Sequence, residues 1–134
     1  VINYLDKNKI TYTGLEYGRY TQEEFRESIS EVKYCIIIDN TESQGIAIQE
    51  MMAYNKPLLV WNQTIWNHMG DNYIVDGTSI PYWSSECGES FVKYENFDKV
   101  FNLFLSKLDK YNPKKYVDRE LSPQKSIDTL LKLF

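Results

Sequence analysis

The stretch that decides the fold is "DNTESQGIAIQEMMAYNKPLLVWN", residues 39–62. It follows "YCIII" (34–38), a continuous β-branched apolar run that suits a strand buried on both faces of a parallel sheet. A polar loop leads to Gly45. Residues 45–54 then read as a helix with Ile46, Met51 and Met52 facing inward, closed by Asn55 and Pro57. "PLLVW" (57–61) is the next buried strand. Strand, helix and strand in that order make a βαβ unit with a right-handed crossover.

Working toward the N-terminus, "ITYT" (10–13) is a short β-like run ended by Gly14, and "LEYGRY" (15–20) is a loop. Thr21 is placed as an N-cap with Glu24 in the capping-box position. The helix it opens covers residues 22–30, with Phe25 and Ile29 on one face. Parallel strands are therefore expected at 10–13, 34–39 and 58–61. On the other side of the stretch, "NQTIWNHMGDNY" (62–73) reads as loop, and residues 75–94 hold one or two short extended pieces. Residues 97–108 form an amphipathic helix with Val100, Phe101, Phe104, Leu105 and Leu108 on its apolar side. "YNPKKYVDREL" (111–121) reads as a connector. Ser122-Pro123 caps a last helix through Ile127, Leu130, Leu131 and Phe134. The expected fold is an α/β, Rossmann-like three-layer sandwich with a parallel sheet, a single domain over 1–134 that lacks its first strands.

Composition excludes several classes. A chain of 134 residues with 43% hydrophobic and 25% charged content builds one core. A net charge of −4 gives no global field for nucleic acid or an anionic membrane. The lysines of the C-terminal segment are diluted by Asp109, Asp118, Glu120 and Asp128, which describes a solvated helix face. No apolar stretch approaches the ~18 residues of a membrane span. Cys35, in an apolar run, reads as a small buried residue, whereas Cys87 sits in a polar loop. Neither suggests a disulfide framework, and a reducing, cytoplasmic setting is expected.

In open α/β sheets ligands bind beyond the carboxyl ends of the strands, where residues 39–45 fall. A helix start offers free N–H groups and partial positive charge to an anion, and Gly45 lets the backbone approach it closely. A carboxylate repels phosphate, so Glu42 is not a phosphate ligand. Carboxylates accept hydrogen bonds from hydroxyls, and Glu50 lies ~7.5 Å along the helix from Gly45. Two hydroxyl-bearing rings with phosphates between them describe a nucleotide-diphosphate sugar. His68, the only histidine, reads as a surface or locally bonded residue, and no metal site can be built around it. Asp39 lacks the acidic pair and lysine of a receiver domain and the second aspartate of a DxD motif. No Walker or dinucleotide fingerprint is present.

The segment "TESQGIAIQEMMAYNKPLLVW" (41–61) resembles the donor-binding signature of retaining glycosyltransferases of the GT-B fold. Glu42 and Glu50 match the two glutamates of the E-x7-E motif, Gly45 its glycine, and residues 51–57 its "AMA-x-GKP" run, with Asn55 replacing the glycine helix cap. The resemblance covers roughly residues 10–104. It implies that Glu50 binds the ribose and Glu42 a hydroxyl of the donor sugar, the catalytic position. Ser43, Gln44, Gly45 and Ile46 would meet sugar and phosphate, and the loop 15–18, with Tyr17 and Gly18, would line the base. It implies no metal and no cofactor, the nucleotide sugar being the substrate. The family's Arg/Lys pair for the diphosphate has no clear equivalent here. An N-terminal acceptor-binding lobe is expected as the missing partner, so the chain alone should be inactive. Peripheral membrane association is an option for the full-length enzyme. The runner-up is a non-catalytic α/β interaction or regulatory domain.

Overall fold

The central strand organises the structure, a computed structural model that describes residues 1–67 and 74–134. Strand β2 (Leu58–Trp61) lies between β1 (Cys35–Ile38) and β5 (Gly88–Phe91), and both pairings are parallel. The register sets Cys35 opposite Leu58 and Leu58 opposite Gly88. Leu58, Leu59 and Val60 are fully buried. Each removes enough apolar surface from water to contribute about 1.5–3 kcal/mol. Between β2 and β5 the chain makes an antiparallel pair, β3 (Ile65–Asn67) with β4 (Ile74–Asp76).

Alternation along β2 sends its side chains to two faces. On one face Leu58 and Val60 pack with Ile37, with Ile48 and Met52 of helix α3 (Ile46–Ala53), and with Tyr116 of α5 (Pro113–Glu120). On the other, an aromatic chain runs from Trp61 to Phe91, Phe97 and Phe101, the last two on α4 (Phe97–Ser106). Tyr34 meets Phe104 edge-on at 5.4 Å between ring centres. Helices therefore cover both faces of a small parallel sheet, an arrangement compatible with a Rossmann-like fold.

The chain divides into two compact units, Val1–Val32 and Lys33–Phe134. The sheet belongs to the second. The first holds α1 (Ile2–Lys7), a short helix with no counterpart among the expected elements, and α2 (Gln22–Glu31). Helix α2 starts as expected: Thr21 Oγ1 accepts the Glu24 N–H at 3.2 Å, and the Glu24 carboxylate accepts the Thr21 N–H at 2.7 Å. That bond holds the Glu24 carboxyl below the usual carboxylate range.

Several expectations are corrected. Residues 10–13 form no strand: the Ile10 N–H donates to Leu5 O, and Thr11, Tyr12 and Thr13 are exposed. β-propensity does not make a strand without a ladder partner. The third parallel strand is instead β5, within the region read as short extended pieces. Strand β1 is an edge strand among the described residues, with Ile38 51% exposed, because it pairs on one side only. Ile46 is 72% exposed, and Ile48, 200° further round the helix, takes the core position beside Met52. Leu105 is also exposed, and Phe97 replaces it in the core. Residues 111–121 are not a connector. They hold α5, whose N-cap Asn112 accepts the Lys115 N–H at 3.1 Å, with Pro113 in the first helical turn. The cysteines exchange roles: Cys87 is fully buried, whereas Cys35 is only partly so.

The last helix, α6 (Pro123–Leu131), begins where Ser122 Oγ accepts the Lys125 N–H. Its apolar residues Ile127, Leu130 and Leu131 are exposed. No helix among the described residues is long and apolar enough to cross a membrane.

Candidate functional site at the carboxyl edge of the sheet

Three chain segments meet where β1 and β2 end. The first follows β1 and carries Glu42 into α3. Its turn depends on Gly45, the N-cap, which has φ 64° and ψ 48°. A side chain at that left-handed conformation costs of order 1–2 kcal/mol, so the backbone itself favours glycine here. No side chain caps α3 at Gly45, and the N–H groups of a first helical turn have no partner within the helix itself. The Gln49 side chain folds back to donate to Gln44 O at 2.6 Å and ties the loop to its own helix.

The second segment follows β2. Asn62 N–H donates to Phe91 O at 2.8 Å. Its side-chain oxygen accepts from Thr78 Oγ1 at 2.9 Å and from the Ser79 N–H at 2.8 Å. The third segment, residues 77–80, returns these bonds. Ser79 Oγ accepts the Gln63 N–H at 2.9 Å, and Thr78 O accepts the Glu42 N–H at 2.8 Å. Ser79 is fully buried and satisfied. Gly77 packs under Thr41 so closely that a Cβ there would meet the Thr41 methyl at 2.7 Å. Glu42 thus stands on a loop pinned from beneath.

The structure places the expected residues as follows. Glu42 and Glu50 are both half-buried, Glu42 before the helix start and Glu50 in the second turn of α3. Ser43, Gln44 and Ile46 are exposed around the buried Gly45. Tyr17 and Gly18 belong to the first unit, not to the one that carries the glutamates, with Tyr17 88% exposed and Gly18 at φ 79°. His68 lies outside the described residues. Asn55 does occupy the left-handed cap position after α3, at φ 57°, as the exchange with glycine required.

A concavity of about 330 Å³ opens at this edge, lined by Ile38, Asp39, Asn40, Trp61 and Gln63. Neither glutamate lines it. The larger hollow, about 370 Å³, lies against α6 and is lined by Glu120, Lys125 and Thr129 among others. It contains none of the sheet-edge residues, and the chemistry favours the smaller one. Trp61 is held there by its indole N–H, which donates to Val92 O at 2.9 Å.

The three loop segments carry negative charge only, and the nearest cation in the chain at this end of the sheet is Lys93, two residues past β5. Residues 39–46, 61–67 and 74–81 contain Asp39, Glu42 and Asp76 but no lysine or arginine. Hydroxyl groups are therefore well served by acceptors, while a phosphate would rely on the first-turn N–H groups of α3. No cluster of metal-ligating side chains occurs among the described residues. No local sequence pattern marks Asn62, Thr78 and Ser79 as part of this edge. Asn62 directly follows β2, and Thr78 and Ser79 follow β4 by two and three residues, a juxtaposition that becomes legible only once the fold brings these strand ends together.

The chain matches no protein-family model, and no curated protein or solved structure is significantly similar to it.

Proposed function

We propose that this chain binds a nucleotide-diphosphate sugar as the C-terminal, donor-binding lobe of a retaining glycosyltransferase of the GT-B type. One observation carries the reading: a glutamate on each side of an uncapped, glycine-initiated helix start, at the carboxyl end of a parallel strand. Glu50 accepts the ribose hydroxyls and Glu42 a sugar hydroxyl, with the diphosphate against the N–H groups of Ile46 and its neighbours. The acceptor is held by a lobe outside this chain, so the chain alone transfers no sugar. Its contribution to the reaction is orientation of the donor and stabilisation of charge on the departing diphosphate.

Calorimetric or NMR titration of UDP, GDP and their sugars tests this. Glu50→Ala removes a charge-assisted hydrogen bond worth ~1.5–3 kcal/mol. Affinity for nucleotide and nucleotide sugar alike then falls by roughly ten- to a hundredfold. Glu42→Ala weakens the nucleotide sugar and spares the bare nucleotide. Glu31→Ala, at the end of α2, changes neither. Equal losses in all three variants, or none, would sink the reading.

A non-catalytic interaction role draws on a different observation, the exposed Ile127, Leu130 and Leu131 of α6. A partner lost on Leu130→Ser but retained in Glu42→Ala and Glu50→Ala would favour it.

A further inference from the structure

We infer that Asn62 is a positioning residue, which fixes the Glu42 loop through Thr78 and so sets where the Glu42 carboxylate stands. The inference begins with the backbone. Glu42 N–H donates to Thr78 O at 2.8 Å, a bond that joins the segment after β1 to residues 77–80. Thr78 is itself held by Asn62, whose Oδ1 accepts both the Thr78 hydroxyl at 2.9 Å and the Ser79 N–H at 2.8 Å. Because a backbone N–H only donates, the atom facing Ser79 must be the amide oxygen, and the orientation of the Asn62 side chain is settled. Thr78 Oγ1 also accepts the Ile80 N–H at 3.1 Å, and because the Asn62 amide oxygen can only accept, the hydroxyl is the donor toward it. Ser79 closes the ring by accepting the Gln63 N–H.

Asn62 is anchored independently of this ring. Its own N–H donates to Phe91 O at the end of β5, so it moves with the sheet. The chain of bonds therefore runs from rigid strand ends, through one side-chain oxygen, to the peptide of Glu42. Removing that oxygen leaves Thr78 and Ser79 without their common acceptor and frees the carbonyl that holds Glu42.

The catalytic meaning of this rests on the donor-binding reading above, but the positioning does not, and the test separates them. Amide hydrogen exchange of the ligand-free chain is compared for wild type, Asn62→Ala, Asn62→Asp and Thr78→Val. Asn62→Ala and Thr78→Val are expected to speed exchange of the Glu42 amide by roughly tenfold or more while the Leu59 and Val60 amides keep their protection. Asn62→Asp, which retains an acceptor oxygen, restores slow exchange at Glu42. If Asn62→Ala does not fold, Thr78→Val decides alone. Unchanged Glu42 exchange in the folded variants overturns the inference, as does failure of Asn62→Asp to restore it. In titrations with UDP and a UDP-sugar, Asn62→Ala is then expected to lose roughly tenfold in preference for the sugar nucleotide, with bare UDP unaffected. Absence of nucleotide binding by the wild type would defeat the donor reading and leave the exchange result standing.

Discussion

Gly88 lies directly against the backbone of Leu58: a Cβ at Gly88 would fall on the Leu58 carbonyl oxygen and 2.8 Å from its carbon. The residue also sits at φ 146°, where side chains are rarely tolerated. Both facts concern the one pairing that attaches β5 to the central strand. Gly88→Ala is expected to cost at least about 3 kcal/mol, enough to unfold a domain of ordinary marginal stability. Far-UV circular dichroism and a urea midpoint check this. Near-wild-type stability would mean that β5 pairs with β2 in a different register.

Asn55 links two helices. Its left-handed backbone ends α3, and its side-chain oxygen accepts the Lys114 N–H at 3.1 Å in the first turn of α5. Asn55→Gly keeps the backbone and loses the acceptor, and is expected to cost about 1 kcal/mol. Asn55→Ala loses both and is expected to cost about 2–3 kcal/mol. Urea denaturation distinguishes them by order: alanine below glycine below wild type.

Acid should release α5. Arg119 binds Glu86 through two nitrogens, at 2.6 and 3.2 Å, and reaches Glu120 at 2.9 Å. The hydrogen bonds from Arg119 are the main reason that the Glu86 and Glu120 carboxyls sit below the usual carboxylate range. A carboxyl with a depressed folded pKa stabilises the fold above its unfolded value. That contribution is lost as pH falls through the folded one. Stability should therefore drop below the usual carboxylate range, and Arg119→Gln should flatten that limb while leaving the profile above pH 6 unchanged in shape. Denaturant midpoints across pH 3 to 7 provide the measurement.

The two thiols should be slow to react in the native state. Burial pushes the Cys35 thiol up to about 11, with Lys56 a smaller opposing influence, and it also raises Cys87, which is fully buried. At pH 8 only roughly a thousandth of Cys35 is thiolate. Ellman's reagent is expected to label Cys35 slowly and Cys87 only on unfolding. Fast labelling of Cys87 would contradict its place behind Leu58, Val60 and Tyr116.

What the sequence could reveal divides along a physical line. Local rules were sufficient for the Thr21 capping box, for α3 between Gly45 and Asn55, and for the parallel pairing of β1 with β2. Each rests on residues within a few positions of one another or on a continuous apolar run. Non-local facts were not legible. "ITYT" has strand-forming residues but no ladder partner, whereas "GESF" is a poor strand former that becomes one because Leu58 and Trp61 pair with it. α5 was hidden by its polarity, since only Pro113, Tyr116 and parts of Val117 turn inward. At the candidate site, Glu42, Gly45 and Glu50 announced themselves by spacing. Asn62, Thr78 and Ser79 meet across the chain through hydrogen bonds that no local pattern encodes.

The sandwiching of β2 between β1 and β5 also imposes an order in time. Leu58 must pair backward with Cys35 and forward with Gly88, thirty positions further along the chain. During synthesis the central strand therefore leaves the ribosome with only one neighbour available. Trp61 of that strand and Phe91 of β5, whose rings stack with centres 5.7 Å apart, wait for each other until the second crossover is complete. Parallel pairings at such separations form slowly because loop closure precedes any gain. Premature release or a pause before residue 91 would expose this strand, and dependence on chaperones is expected to be greatest in that interval.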